Sequence, residues 1–189
     1  HEPSRRQRQM CIRDSSGMRS VALTPNDHLL SFLPLSHTLE RTVGCYAALM
    51  SAAKVSFNRS IPELADDLKI CQPTVMISVP RIFERVHNKI YAGLPERSRF
   101  AQWLFHTAID VGWRRFEYQQ GLRGWHPSLL LHAVTDRLVA RKVREQLGGK
   151  LNYVIVGGAP LSTAVAKTFI SLGVTLLQGY GLTLSLIHI

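Results

Sequence analysis

The sequence is poor in the features that mark secreted, metal-bound and membrane-spanning proteins. It has three cysteines in 189 residues, Cys11, Cys45 and Cys71, and no CxxC pair, which argues against a disulfide framework and a cysteine-based zinc site. Its eight histidines do not cluster at the spacing of metal ligands. It contains no apolar run near the ~20 residues that a spanning helix needs, and no signal-peptide core follows the basic N-terminus. These absences predict a cytoplasmic protein, or one held peripherally at the inner membrane face.

The overall composition predicts one globular unit with an excess of positive charge. Hydrophobic residues make up 46% of the chain and charged residues 19%, which is ordinary for a domain with a real core. The formal net charge is +10. A basic face attracts nucleic acid, anionic lipid or phosphorylated ligands, but it is most often a solvated face. The charge by itself therefore selects no partner.

The most informative stretch covers residues 151–183, LNYVIVGGAPLSTAVAKTFISLGVTLLQGYGLT. Apolar runs at 153–156 and 174–177 are each followed by glycines, and residues 162–172 between them have the length of a helix. This pattern predicts a strand, a glycine turn, a crossover helix and a second parallel strand.

The glycines of this unit fall where open α/β sheets bind ligands, at the carboxyl ends of strands. They are Gly157, Gly158, Gly179 and Gly181. Tyr180, set between two glycines, can stack on a planar base, and Thr183 offers a hydroxyl to a phosphate oxygen. Ordinary turns with a packed tyrosine explain either motif alone, and the spacing fits neither the dinucleotide fingerprint nor the Walker loop. The two motifs together, one strand–helix–strand unit apart, favour a ligand site.

The rest of the chain predicts more parallel β-α-β units and a helical insertion. Strands are predicted at 28–33, 54–57 and 74–79, and helices at 38–53, 61–70 and from Pro80 onward. Residues 96–147 contain predicted helices at 96–120 and 128–147, separated by a linker at 121–127. The predicted fold class is therefore α/β, with parallel β-α-β units and a helical insertion at about 96–147.

Four motifs carry a resemblance to a known family. GGAPL at 157–161 and QGYGLT at 178–183 resemble the two adenylate-binding motifs of the AMP-forming acyl-CoA synthetases. FLPLSHTLERTVG at 32–44 and PTVMISVPRIFERV at 73–86 resemble motifs of the long-chain fatty acyl branch, and all four occur in the family's order. The resemblance implies that residues 21–183 are an incomplete part of the N-terminal adenylation domain of such an enzyme.

The resemblance also implies a reaction and its partners. These enzymes join a long-chain fatty acid to ATP, release pyrophosphate, and transfer the acyl group from the adenylate to coenzyme A. The implied ATP/AMP-binding residues are Gly158, Ala159 and Pro160 on the adenine side, Gln178, Gly179, Tyr180 and Gly181 around the base, and Thr183 at the α-phosphate. Thr183 and His37 are the implied catalytic residues. The resemblance places His37 beside the acyl carboxylate, whereas the residues alone favour a histidine hydrogen-bonded at a helix start.

Two segments depart from the family pattern. Residues 1–20 contain Ser15, Ser16 and Gly17 but lack the Ser/Thr/Gly-rich phosphate loop that ends in lysine, and we interpret them as disordered or foreign. Leu184 follows Thr183 where the family has a glutamate that holds Mg²⁺, and residues 184–189 form a non-matching tail. No metal ligand is predicted in this sequence. We therefore expect a fragment that does not catalyse adenylation as written.

Two other function classes stay open at this point. Arg81, Arg85 and Lys89 recur at four-residue spacing on the helix predicted from Pro80, as in a module that binds nucleic acid or an anionic membrane. Nucleic acid is the less expected partner. The second alternative is a non-catalytic interaction protein that keeps the fold and has lost the site. Separately, the helical insertion resembles that of the long-chain branch, which implies contact with a membrane or a second copy of the chain.

Overall fold

The computed structural model describes residues 23–179, which form a parallel five-stranded sheet with helices on both faces. The strands are β1 (His28–Ser31), β2 (Lys54–Phe57), β3 (Val75–Ser78), β4 (Tyr153–Val156) and β5 (Leu176–Gln178). Their order in the sheet is β2-β1-β3-β4-β5, and every neighbouring pair is parallel. The predicted α/β class is confirmed.

The strand order reverses its direction once. From β1 the chain moves outward to β2, then returns past β1 to β3 and continues to β4 and β5. The reversal lies between β1 and β3, where Leu29 pairs with Val75 and Leu30 with Met76. Crossover connections leave this gap in opposite directions, so they open a crevice at the carboxyl ends of the two strands. The topology therefore marks one edge of the sheet for ligand binding.

Within residues 23–179, six helical regions cover the sheet and form the insertion. They are α1 (a π-helical segment Glu40–Ala47 continued by Ala48–Met50), α2 (Leu64–Cys71, after a 3₁₀ turn Ile61–Glu63), α3 (Pro80–Gly93), α4 (Arg99–Gln119), α5 (a 3₁₀ turn Pro127–Leu131, then His132–Thr135, a π segment Asp136–Ala140 and Arg141–Gln146) and α6 (Thr163–Ser171). No helix within residues 23–179 is both long and apolar enough to cross a membrane.

The core has two layers because alternate strand residues point to opposite faces. Leu29, Val75 and Ile77 pack with α1 on one face. The other face is larger, and its buried residues pack with α2, α3 and α6: Leu30, Leu64, Leu68, Met76, Phe83, Val154, Val156, Val165 and Phe169. Burial on both faces explains why the central strands are continuous apolar runs.

The insertion joins the sheet through α6. Phe105 and Ile109 of α4 form an apolar cluster with Ala140 of α5 and Leu172 at the end of α6. The two helices α4 and α6 approach closely, since a β-carbon on Gly112 would lie 1.9 Å from the Ser171 carbonyl oxygen. The insertion is thus packed on the α/β unit rather than extending from it.

An ion pair fixes the same junction. The Arg144 guanidinium donates to both carboxylate oxygens of Asp136, at 2.7 and 2.9 Å, and to the Leu172 carbonyl oxygen at 2.8 Å. The last contact satisfies a carbonyl at the C-terminus of α6, where a positive charge is favourable. The side chain of Arg144 therefore ties α5 to the end of α6.

Two local predictions differ from the structure. The helix predicted at 128–147 is divided into four segments, and within it the Thr135 hydroxyl donates back to the Leu131 and His132 carbonyl oxygens, both at 3.1 Å. Such back-bonding competes with a regular helical ladder. The strand predicted at 174–177 begins two residues later, at Leu176, because Gly173 takes a left-handed turn and Val174 N–H is used by the Phe169 carbonyl.

Candidate functional site

The glycine turn after β4 lies between the ends of its two neighbouring strands. Gly157 N–H donates to the Ser78 carbonyl oxygen at the end of β3, at 3.0 Å, and Gly179 N–H donates to the Val156 carbonyl oxygen at 2.8 Å. The two motifs singled out in the sequence therefore meet at one edge of the sheet. It is the carboxyl edge, as expected for a ligand site of an open α/β fold.

Two different physical requirements explain the paired glycines. A β-carbon on Gly157 would lie 2.5 Å from Cδ2 of Leu39, which precedes α1, so this position is closed by contact. Gly158 has a φ of +87°, a left-handed conformation that side chains other than glycine rarely adopt. Gly158, Ala159 and Pro160 are exposed. The turn therefore offers accessible backbone to a ligand.

The second motif is only partly within the described residues. Gln178 ends β5 with its side chain exposed, and Gly179 follows at hydrogen-bond distance from β4. Tyr180, Gly181 and Thr183 lie outside residues 23–179. Base stacking by Tyr180 and a phosphate contact from Thr183 stay predictions.

His37 lies on the same edge, in the segment between β1 and α1. Its side chain is exposed, and its ring Nδ1 accepts a hydrogen bond from Leu39 N–H at 3.3 Å. Its backbone carbonyl accepts from Arg41 N–H at 3.1 Å. These are the contacts of a histidine at a helix start, the reading that the residues alone favoured. His37 also lies two residues from Leu39, the side chain that contacts Gly157, so a role beside the acyl carboxylate stays a prediction.

Glu40 is a residue of this edge that the sequence reasoning missed. It is 1% exposed, and neither carboxylate oxygen has a partner with hydrogen-bond geometry within residues 23–179. Burial raises the pKa of Glu40 from 4.5 to about 7, and the nearby Ser31 hydroxyl opposes this only in part. The available signal was a lone acidic residue at the start of an apolar helix predicted to be buried.

The residues present fit a nucleotide better than they fit a metal ion. An accessible glycine turn with a left-handed residue suits the close approach of a flat or phosphorylated ligand. Across residues 23–179 there is no group of three or more His, Cys, Asp or Glu side chains that could hold a metal ion. Binding of Mg²⁺ together with a nucleotide stays a prediction.

A separate cavity lies at the opposite end of β5. It measures about 520 Å³ and is lined by α4, α5 and the end of α6, with Arg115, His132 and Arg144 among its residues. Arg144 is already paired with Asp136, and burial together with the Arg115 charge lowers the pKa of His132. Neither Gly157 nor Gly158 lines this cavity. We place the candidate site at the glycine turn because chemistry and topology converge there.

The basic stripe on α3 has an ordinary explanation. Arg81, Arg85 and Lys89 are exposed, while Phe83 on the opposite face is buried in the core. A solvated face of an amphipathic helix has this pattern. The structure adds no feature to the stripe that selects nucleic acid.

Comparison with known proteins identifies related sequences over most of the chain. The family model described as AMP-binding enzyme matches residues 7–189. The long-chain-fatty-acid–CoA ligase FadD15 of Mycobacterium tuberculosis is 37% identical over 175 residues, covering 91% of this chain and 28% of the relative. Long-chain-fatty-acid–CoA ligase 1 of Homo sapiens is 36% identical over 162 residues, covering 84% of this chain and 22% of the relative. The chain thus spans about a quarter of the length of these relatives.

Solved structures show the same fold at low sequence identity. Apo MatB from Rhodopseudomonas palustris superposes with a TM-score of 0.55 at 17% identity, covering 93% of this chain and 25% of that one. The A domain of a carboxylic acid reductase from Segniliparus rugosus, solved with AMP and a co-purified carboxylic acid, gives a TM-score of 0.55 at 22% identity, covering 92% of this chain and 24% of that one. These likenesses establish the architecture.

Proposed function

The chain belongs to the AMP-binding enzyme family, and from this premise we propose that it is part of a long-chain fatty acid–CoA ligase. The proposed activity of the whole protein is ATP-dependent activation of a fatty acid to an acyl-adenylate, followed by transfer of the acyl group to coenzyme A. Relatives with this activity in their names cover 84% and 91% of the chain at 36% and 37% identity. The substrates we propose are a long-chain fatty acid, ATP and coenzyme A.

The observation that carries the proposal is the meeting of two glycine motifs at one edge. The backbone N–H of Gly157 donates a hydrogen bond to the end of β3, and that of Gly179 donates to the end of β4. Gly158, next to Gly157, has a positive φ and is exposed to solvent. We assign this turn, with Ala159 and Pro160, to the adenine side of the nucleotide. Gln178, Gly179, Tyr180 and Gly181 are assigned to the base, and Thr183 to the α-phosphate.

Within this assignment the chain's own residues bind and orient rather than transfer protons. A carboxylate is a poor nucleophile towards a polyanionic phosphate, so holding both in line supplies much of the rate. We propose that His37, exposed at the carboxyl end of β1, lies on the acyl side. When bound, Mg²⁺ would neutralise phosphate charge, and Leu184 stands where the resembled family has the glutamate that holds it. We therefore expect nucleotide binding without adenylate formation by this chain.

The test is AMP binding to the purified chain, measured by calorimetry, with two matched glycine variants. Gly158→Ala should weaken AMP binding by about tenfold or more, because it strains the turn that faces the ligand. Gly121→Ala is the control, since Gly121 also has a positive φ, +71°, with nothing within 4 Å of its β-carbon position. Equal weakening by both variants, or no AMP binding by the parent chain, would contradict the proposal. Fatty-acid-dependent ATP–pyrophosphate exchange by this chain would contradict its expected inactivity.

A second candidate function is contact with an anionic membrane through α5, which the exposed face of this helix favours. Leu130, Val134 and Leu138 recur every four residues and are 73%, 53% and 45% exposed. Arg137 and Lys142 are exposed on the same helix. An apolar stripe flanked by cations is the pattern of helices that lie in a lipid interface. We propose this face as the peripheral membrane contact of the insertion.

Vesicle co-sedimentation tests this second candidate. The chain should bind phosphatidylcholine vesicles that contain phosphatidylserine more strongly than phosphatidylcholine alone, and Leu130→Ser with Leu138→Ser should abolish binding. Leu49→Ser with Met50→Ser is the control, because these α1 side chains are 67% and 69% exposed. If the α5 variant instead converts a dimer to a monomer in sedimentation velocity, the face contacts a second copy and the membrane assignment is wrong.

A further inference from the structure

The carboxyl group of Glu40 is buried at the edge of the sheet that holds the candidate site. It is 1% exposed, and both its oxygens lack hydrogen-bond partners within residues 23–179. A buried polar group without a partner costs free energy, and an unpaired buried charge costs more. Native proteins satisfy nearly all such groups, so this exception needs an explanation.

The surrounding structure makes room for this carboxyl group. A β-carbon on Gly44 would lie 2.5 Å from Oε1 of Glu40 and 3.1 Å from Cδ1 of Ile77. In the observed side-chain positions, the absence of a β-carbon at Gly44 leaves space for the carboxyl group that lies over it. Both residues belong to the π-helical segment Glu40–Ala47, a wide-turn geometry found frequently at functional sites. The Glu40 side chain is thus enclosed between α1 and the end of β3.

The same first turn contacts the proposed nucleotide site. Leu39 precedes Glu40, is 4% exposed, and has its Cδ2 atom at the place where a β-carbon of Gly157 would clash. Leu39 and Glu40 are consecutive residues, so a shift of the backbone at Glu40 is passed directly to Leu39. The peptide link between them and the approach of Leu39 to Gly157 therefore connect Glu40 to the glycine turn.

No charged side chain on the strands packed against Glu40 lies near enough to neutralise it. β3 contains no titratable residue, and β1 carries only His28, at its opposite end, where Nε2 contacts the Ser56 hydroxyl. On α1 and just before it the titratable or charged groups are His37, Arg41, Cys45 and Tyr46. None of these forms an ion pair or hydrogen bond with Glu40. Among residues 23–179, a charged Glu40 would find no compensating charge, whereas a neutral Glu40 is accommodated.

We propose that Glu40 is a positioning residue for the glycine turn: its neutral carboxyl group holds the first turn of α1, and with it Leu39, against Gly157, and its ionisation withdraws both from the turn. The significance for nucleotide binding rests on the proposed function. The positioning itself does not, because it concerns contacts within the chain. A neutral carboxyl group also adds no negative charge beside an anionic nucleotide or fatty acid.

Nuclear magnetic resonance across the pH range from about 5.5 to about 8.5 tests the positioning directly, by following the Leu39 methyl groups and the Gly157 amide. In the parent chain both signals should titrate together with a midpoint about 7. In Glu40→Gln, which keeps the size and removes the ionisation, both should become independent of pH in that range. In His37→Gln the titration should persist, which separates Glu40 from the histidine whose ring accepts the Leu39 N–H.

Two results would overturn the inference. One is a titration of Gly157 that survives in Glu40→Gln or disappears in His37→Gln. The other is a Gly157 signal that stays constant in the parent chain while the Glu40 carboxyl carbon itself titrates. Glu145→Gln is the matched control for loss of a carboxylate. It removes an exposed carboxylate of α5 and should leave the titration of Leu39 and Gly157 unchanged.

Nucleotide affinity then separates this inference from the proposed function. AMP should bind the parent chain at least threefold more weakly at pH 8 than at pH 6, and Glu40→Gln should remove that difference. Absence of AMP binding at every pH would contradict the proposed function, and the titration of Gly157 would still decide the role of Glu40.

Discussion

A buried carboxyl group lies beyond each end of strand β1, and only one of the two has hydrogen-bond partners among residues 23–179. Asp27, just before the strand, is 8% exposed and accepts hydrogen bonds from Thr24 N–H, the Thr24 hydroxyl and the Thr74 hydroxyl, at 2.8, 2.8 and 2.7 Å. Glu40, beyond the strand's carboxyl end, is 1% exposed and has no partner within the described chain. The same strand thus separates a satisfied carboxylate from an unsatisfied one.

The pKa values of the two groups move in opposite directions for this reason. Burial raises the pKa of Asp27, but the bonds from Thr74 and Thr24 together outweigh burial and lower it overall. Burial raises the pKa of Glu40 to about 7 because only Ser31 opposes it. The amino edge is therefore built for stability, and the unsatisfied group lies at the edge where a ligand is proposed to bind. Proteins break local rules most often at functional sites.

The largest effect should come from removing the ionisation of Glu40. A pKa raised in the folded state gives stability that is complete below 4.5 and is lost as pH rises through about 7. The interval between 4.5 and about 7 corresponds to about 3 kcal/mol. Glu40→Gln should therefore be about 3 kcal/mol more stable than the parent at pH 8, measured by urea unfolding, and about equal to it below about pH 4.

The comparison for this variant is Glu63→Gln, which changes a half-exposed carboxylate on the turn before α2. It should alter stability by less than about 0.5 kcal/mol at either pH. If Glu40→Gln were less stable than the parent at pH 8, the carboxylate would have a partner, and the contrast with Asp27 would fail.

Asp27→Asn should have a smaller effect of the opposite sign. The amide keeps one acceptor oxygen but presents a donor to the Thr24 backbone N–H or to a threonine hydroxyl, so at least one buried bond is lost. We expect a loss of about 2 kcal/mol at pH 7 in urea unfolding. Because the pKa of Asp27 is lowered, its contribution is present above 3.8 and is lost as pH falls through the folded value.

The free energy of unfolding of Asp27→Asn should therefore approach that of the parent as the pH is lowered. Asp66→Asn, on the exposed face of α2, serves as the control and should change stability little. A parent chain whose stability does not fall more steeply than that of Asp27→Asn at low pH would show that the network around Asp27 contributes nothing.

The smallest of the three changes in stability should come from the helical insertion. There, as at Asp27, the charged groups of Arg144 and Asp136 have hydrogen-bond partners. Arg144→Gln removes the bidentate pair with Asp136 and the bond to the Leu172 carbonyl, and should cost about 1.5 kcal/mol in thermal or urea unfolding. Arg141→Gln breaks an exposed i, i+4 pair with Glu145 and should cost less than about 0.5 kcal/mol. If Arg144→Gln and Arg141→Gln lost equal stability, the partly buried ion pair of Arg144 would contribute no more than an exposed one.

The sequence predicted the parts of the fold that depend on local apolar runs and glycines. The predicted strands at 54–57 and 153–156 coincide with β2 and β4, and the helix at 162–172 differs from α6 by one residue at each end. Ser60 and Glu63 have the spacing of a capping box, but the Ser60 hydroxyl donates to the Glu63 carboxylate at 2.8 Å and no side-chain cap of the backbone forms. The 3₁₀ turn there already uses the Glu63 N–H.

By itself the sequence determined the α/β class, the parallel strands and the two glycine motifs, because strand length, period and the need for glycine are properties of short segments. Only the tertiary structure decided which strands are neighbours, that Leu39 lies over Gly157, and that Glu40 is enclosed without a hydrogen-bond partner among residues 23–179. Those facts depend on residues far apart in the chain, such as Gly44, Ile77 and Gly157, coming together. A carboxyl group has an ordinary or a raised pKa according to such neighbours, which no local pattern specifies.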